Sequence, residues 1–406
     1  MFTAGKGNDM AEENRKQETI QLCQSLIRTR SYSGEEQGVV GIMKNYAKQN
    51  GFDDIHIDRY GNCILKIKGK KKGPRVLFDG HMDTVPVPDP SVWKHDPFGA
   101  EIVNGRIYGR GTSDMKGAIA GMLSGAAFFL RDTDRNFAGE IYISGVVHEE
   151  CFEGVAAREI SKYVRPDYVI IGEASQCNVK IGQRGRGEIV VETFGKPAHS
   201  SNPEKGINAV YKMSEIVNNI KKMPPVEHPF LGKGILELTD IKSMPYPGAS
   251  VVPYYCRATY DRRLLKGETK AGVLRPIKEM IKEMKKNDPH LKAKVSFAKG
   301  KEKCYTGEEI GDERFFPGWL YDSGEDYIQA IVKELQARGW KPEITKYNFC
   351  TNGSHYAGEA GIKAVGMGPS RENLAHTVDE YVEVSQLTKA ADCYYGIMKA
   401  LLKPAE

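Results

Sequence analysis

A series of short apolar runs, each followed by a residue able to hold a metal ion, constrains this chain more than any other feature. The run 76–78 delivers His81-Met82-Asp83 into a loop, and the alternating run 141–147 is followed by His148-Glu149-Glu150. The run 168–171 ends at Gly172-Glu173, and 364–369 leads to Ala375-His376-Thr377-Val378-Asp379-Glu380. Between the first two, Gly111-Thr112-Ser113 brings Asp114 to the start of a small-residue helical stretch over about 118–130. Short apolar runs bounded by turns read as buried strands, and groups gathered at strand carboxyl ends are how open α/β sheets bind ligands. Each group has an ordinary alternative. An Asp after a turn caps a helix, a Glu pair faces solvent, and with nine histidines in 406 residues a His-x-Asp pair arises by chance. Their joint order points to a site.

Two histidines and three carboxylates suit zinc or cobalt. Borderline divalent ions accept imidazole and carboxylate together, whereas calcium and magnesium take oxygen almost throughout. The set His81, Asp114, Glu150, Glu173 and His376 suits two ions better than one. Asp114, on a tight turn between the other groups, is the expected bridge; His81 and Glu173 complete one ion, Glu150 and His376 the other. Asp83 is expected to accept the ring N–H of His81 that faces away from the metal, fixing the tautomer. Glu149 is left without an ion, and a carboxylate beside metal-activated water serves as a general base that returns its proton to a leaving amine.

The motifs G-H-M-D-T-V-P, G-R-G-T-S-D-M-K-G, H-E-E, G-E-A and A-H-T-V-D-E, spread from Gly80 to Glu380, resemble the M20 metallopeptidase family in order and wording. Within it, the chain is similar to the selenium-metabolism-linked hydrolases. The resemblance implies amide-bond hydrolysis with two zinc ions per subunit, cobalt or manganese being substitutes. It assigns His81, Asp114, Glu150, Glu173 and His376 to the metals, Glu149 to the general base and Asp83 to support of His81. It further implies a homodimer in which His199, in Gly195-Lys196-Pro197-Ala198-His199-Ser200, reaches the partner's active site and stabilises the oxyanion. Arg263 matches a lid-strand D-x-R, and either forks onto a substrate carboxylate or pairs with Asp261. Two departures stand out. Ser250-Val251-Val252-Pro253 stands where relatives carry Asn before a V-x-P turn, and Thr351-Asn352-Gly353-Ser354-His355 where many carry G-G-T-D. Both loops touch substrate in relatives, so Asn352, Ser354 and His355 are expected substrate contacts, and the acyl group is left open.

At 406 residues the chain exceeds the roughly 250 to 300 that one core usually fills. Residues 184–300 carry 22 basic against 12 acidic side chains, while the remainder is net acidic. Their pattern reads strand 187–194, helix 206–222, strands 235–241 and 254–264, helix 270–286 and strand 292–298, a ferredoxin-like βαββαβ order. The expected architecture is α/β: a doubly wound catalytic domain with a mixed sheet from residues 1–183 and 301–406, interrupted by a lid and dimerisation domain at 184–300. Segment 182–187, G-x-x-G-x-G before a strand, reads as a hinge rather than a phosphate loop. Positive charge on amphipathic helices with few aromatics reads as a solvated face, not a nucleic-acid surface.

Mean hydropathy of −0.47 and the lack of a long apolar run lead to the expectation of a cytoplasmic protein without membrane helix or secretory leader. The eight cysteines form no C-x-x-C pair, which speaks against a disulfide framework or zinc ribbon, and Cys151 reads as a packed residue behind the site. The expected activity is hydrolysis of N-acyl amino acids or short peptides. The alternative is a non-catalytic binder of the same molecules, for which an unligated Glu149 beside a full ligand set has no use.

Overall fold

The computed structural model describes the backbone of residues 4–404 and the side chains of residues 10–404. Val76, Leu77 and Phe78 are fully buried, as a strand covered on both faces must be. They lie in the Lys71–His81 strand, inside a nine-stranded sheet. Ala138–Val146 runs parallel to it on one side and Tyr168–Ile171 on the other, with Lys363–Gly366 parallel beyond the latter. Antiparallel strands flank this block and make the sheet mixed. Cys63–Lys68 and Asp54–Ile57 extend one side; Val179–Gln183 extends the other. Four parallel strands therefore end at one edge of the sheet. The register sets His81 opposite Val146 and Asp79 opposite Ile171, which brings His148-Glu149-Glu150 and Glu173, just past their strands, to the level of His81.

Helices Ala4–Arg28, Lys116–Thr133 and Val384–Leu402 pack against one another, and the last two also against the Lys71–His81 strand. Small residues permit this closeness. A Cβ at Gly125 would stand 2.6 Å from the Ala391 carbonyl oxygen, and one at Gly121 3.2 Å from the Tyr394 ring. No helix among the described residues is long and apolar enough to cross a membrane.

Residues 185–297 build a second, antiparallel sheet in the order Ile235–Met244, Tyr255–Leu264, Gly185–Phe194, Lys292–Phe297. Helices Ala209–Ile220 and Lys270–Asn287 share a separate core with it, built around Ile189, Val191, Met213, Ala258 and Ile277. In Lys270–Asn287 the buried residues are Val273, Leu274, Ile277 and Ile281, while Lys278, Lys282, Lys285 and Lys286 are exposed, so this basic charge lies on a solvated helix face. Only Arg184 separates Val179–Gln183 of the first sheet from Gly185–Phe194 of the second.

Two local readings of the sequence change. The helix expected from residue 206 starts at Ala209, because Pro203–Lys205 forms a 3-10 turn and the Asn208 side chain caps the helix by accepting from the Val210 and Tyr211 N–H groups. Residues just past 300 do not rejoin the first sheet at once. Lys299–Lys303 pairs with Glu309–Glu313 as a hairpin of opposed charges, and Phe315–Phe316 adds a fifth strand to the second sheet.

Candidate active site

His81 is buried at the end of its strand, with Nε2 2.9 Å from Asp114 Oδ1 and 3.5 Å from Glu173 Oε1. The other carboxylate oxygen of Asp114 lies 3.1 Å from His376 Nε2, which is itself 3.0 Å from Glu150 Oε2. Asp114 thus stands between two imidazoles with one oxygen toward each, the disposition a bridging ligand needs. Ligand atoms of His81, Asp114 and Glu150 all lie within 4.8 Å of one another, as do those of His81, Glu149 and Glu173. The second group is informative, because it places Glu149 close enough to act beside an ion or on it. Two imidazole nitrogens among carboxylates, with Glu149 Oε1 buried and unpartnered in their midst, fit a pair of borderline divalent ions.

Asp83 accepts the ring N–H of His81 as expected, but through its backbone carbonyl. His81 Nδ1–H donates to the backbone carbonyl of Asp83 at 2.8 Å, while the carboxylate oxygen is 3.7 Å away. The Asp83 carboxylate accepts instead from the N–H groups of Glu149 (3.1 Å) and Glu150 (3.2 Å) and from the Ser33 hydroxyl (2.7 Å). One residue therefore fixes the ring of His81 through its backbone and the turn bearing Glu149 through its side chain. Glu36, fully buried, accepts from the His148 N–H in the same turn at 3.2 Å.

Sequence reasoning passed over Glu380. This buried carboxylate accepts from the N–H groups of Gly111 (3.1 Å), Ser113 (2.8 Å) and Asp114 (3.1 Å), and pairs with Arg110 Nη1 at 2.6 Å. It holds the turn that presents Asp114. Its partner Arg110 lies 270 positions away, so no local signal in the sequence marks it, although an acid this buried is almost always paired.

The electrostatics follow from burial and crowding. Burial pushes the carboxyls of Glu149 and Glu173 well above the usual range, reinforced by neighbouring carboxylates and opposed by His81. Glu150 is pushed up to about 7 by burial and by Asp114, against its contact with His376. Asp114 alone is held below its ordinary value: hydrogen bonds to His376 and His81 outweigh its burial. His376 rises to about 10 through its contacts with Asp114 and Glu150. The one carboxylate that stays firmly ionised is the one between the two rings.

The cluster opens into a cavity of about 460 Å³ walled by both sheets. Arg263 lines it, with Nε 2.8 Å from Asp261 Oδ1, so both readings of this arginine meet at one place. Asn352, Ser354 and His355 are not brought to the cleft. Asn352 donates to Asp79 and accepts from the Gly154 N–H, Ser354 accepts from Gln183, and His355 sits between Ser161 and Glu359. All three are buried, and Phe349 and Cys350 just before them line the cleft instead. His199 is exposed and outside the cleft lining of its own chain, with Nδ1 accepting from the Ser201 N–H at 3.1 Å. Cys151 is half-buried and does not line the cavity.

Known proteins resemble this chain in sequence and in fold. The chain is 32% identical over 382 residues to the uncharacterized protein YgeY of Escherichia coli, covering 93% of this chain and 92% of that one. It is 27% identical over 395 residues to succinyl-diaminopimelate desuccinylase 2 of a Ruegeria species, covering 94% of each. In fold it matches the Bacillus subtilis protein YxeP, described as a dinuclear metal binding peptidase, with a TM-score of 0.70 at 12% identity over 97% of this chain and all of that one. The model for peptidase family M20/M25/M40 matches residues 77–400, a span that runs from the His81 strand past His376 and Glu380. A metallopeptidase-type site at the end of a mixed sheet, a match over most of the chain and a full-length relative agree: this chain belongs to the peptidase family M20/M25/M40.

Proposed function

We propose that the chain is a homodimeric, cytoplasmic hydrolase that uses two zinc ions to cleave an amide bond in an N-acyl amino acid or a short peptide. The observation that carries this reading is Asp114 set between His81 and His376 beside the buried, unpartnered Glu149 oxygen. His81 and Glu173 would hold one ion, Glu150 and His376 the other, with Asp114 shared. When bound, such ions acidify water and polarise the substrate carbonyl. Glu149 takes the proton from the attacking water and returns it to the departing amine. Burial suits it to both steps, since a carboxyl whose proton affinity is raised gives up less driving force when it serves as a base and then as an acid. Asp83 and Glu36 keep its turn in place through three successive backbone N–H groups. Eight free cysteines, seven of them buried, support a reducing compartment.

Dimerisation through the second sheet is supported by its free edge. Ile235–Met244 is the terminal strand, and Ile235, Ile241, Met244, Tyr246, Val251 and Tyr254 are exposed on and beside it, an apolar surface that an unpaired edge would ordinarily avoid. Val251 bridges to His199, so a partner seated there would bring His199 into an interface.

Release of free amine from a panel of N-acyl amino acids and dipeptides by the zinc-loaded protein tests the activity; no turnover across the panel would favour the binding-protein alternative. On any substrate so found, His199→Ala is expected to lower kcat on the order of 100- to 1,000-fold, as loss of an oxyanion donor does. Mixing His199→Ala with Glu149→Gln subunits should then restore on the order of a quarter of wild-type activity, because half of randomly paired dimers hold one intact composite site of two. Failure of the mixture to recover while both variants remain dimeric would rule out action across the interface.

A further inference from the structure

Among the described residues, the charged groups that line the cleft outside the metal cluster are all paired, and one of them, Glu153, has an oxygen left over. Asp261 is shared by Arg263 (2.8 Å) and Arg186 (3.3 Å), and Glu372 is met by Lys180 at 2.9 Å. Glu153 gives one oxygen to Arg186 Nη1 at 2.8 Å, while its other oxygen is buried without a partner. Glu153 is 8% exposed and lines the same cavity as Glu149, Glu173 and Asp114. A buried carboxylate oxygen that accepts nothing from the protein is expensive, and in a native site such a group is met by an ordered water or by a ligand.

Glu153 is not free to swing away from this position. The next residue, Gly154, has φ +87, its N–H donates to Asn352 at 2.8 Å, and a Cβ there would stand 2.9 Å from His355 Cβ. The loop is thus pinned by the Thr351–His355 segment, which gives the buried Asn352 a purpose: it positions Glu153 rather than the substrate. Arg186 fixes the carboxylate from the other side. The chain of contacts Glu153, Arg186, Asp261, Arg263 presents an unmet acceptor at one end and a guanidinium at the other.

We propose that Glu153 is a specificity-determining residue whose free oxygen accepts an N–H from an amine on the substrate, so that the cleft selects molecules carrying a cationic amino group besides the scissile amide. A charge-assisted hydrogen bond of this kind discriminates against an isostere lacking the amine, because the acceptor is then left buried and unpaired. The inference rests on the cleft being the substrate site proposed above, and it deepens that reading.

L-Lysine and L-norleucine differ only in the terminal ammonium, and their binding to zinc-loaded Glu149→Gln protein is measurable by calorimetry whether or not the wild type turns over an amide. Lysine is expected to bind at least about tenfold more tightly. Adding Glu153→Gln, which keeps one oxygen for Arg186 and puts a donor in place of the free acceptor, should erase that preference while the protein stays folded and keeps its metal ions. If this variant fails to fold, Glu153→Asp, which keeps the charge but withdraws it, should reduce the preference. The same loss should appear in the kcat/KM ratio of N-acetyl-lysine to N-acetyl-norleucine. No binding of either amino acid, no preference for lysine, or a preference that survives Glu153→Gln would each overturn the inference. A Glu153-dependent preference in binding without hydrolysis of any amide would sink the hydrolase reading and leave this one standing.

Discussion

Removal of metal by a chelator is expected to abolish hydrolysis, lower the melting temperature and be reversed in both respects by added zinc. Asp114, Glu149, Glu150 and Glu173 converge on His81 in a largely buried space, and only two imidazoles oppose them. Burial and mutual repulsion raise three of these carboxyls, so in the absence of cations the folded state must hold protons or unrelieved charge there. Ions that bind only the folded chain stabilise it by mass action, by about 4 kcal/mol at a thousandfold excess over Kd. Protons compete for the same groups. His376 rises to about 10, Glu150 to about 7, and Glu149 and Glu173 are also raised, so metal uptake near neutral pH should release protons, and apparent affinity should fall as pH drops from about 10 through 7. Titration calorimetry in two buffers of different ionisation heat reads that release. Full turnover after metal has been stripped below detection would refute the assignment.

The parts of this site that were legible in the sequence are those carried by local order. Each ligand follows its own apolar run, so a strand reading of runs 76–78, 141–147, 168–171 and 364–369 is enough to bring His81, Glu149, Glu150 and Glu173 to one edge once the strands are parallel. The βαββαβ module was legible for the same reason, since its helices and strands keep their apolar periodicity. What escaped depends on contacts between distant residues. Glu380 and Arg110 are 270 positions apart, and nothing near either one tells of a buried pair. The Lys299–Lys303 hairpin is held by cross-strand pairs such as Lys301 with Glu309 and so lacks the alternation that marks a strand. Asn352, Ser354 and His355 were misread because a polar loop near an active site looks the same in sequence whether its side chains face substrate or, as here, buried partners. For Asp83 the sequence placed the right residue beside His81, and only the structure distinguishes its carbonyl from its carboxylate.

Glu149→Gln is the substitution that separates the two positions the geometry allows for this residue. Its oxygen lies within ligand distance of His81 and Glu173, yet Oε1 has no partner and the five other ligand groups suffice for two ions. A base predicts a loss in kcat of about 100- to 10,000-fold with little change in KM and two metal ions per chain retained, because the amide cannot accept the proton of water while it fills the same space. A ligand predicts a different pattern, in which metal content falls toward one ion and activity recovers at high zinc. Stability gives a second readout. In the metal-free protein, burial and the charges of Glu173, Glu153 and Glu150, only partly offset by His81, disfavour an ionised Glu149, so a neutral side chain relieves that repulsion and should raise the melting temperature of the stripped protein. A stable, fully metallated and inactive Glu149→Gln protein would fix Glu149 as the base; a protein that binds one ion, or one that retains wild-type kcat with both, would remove it from that role.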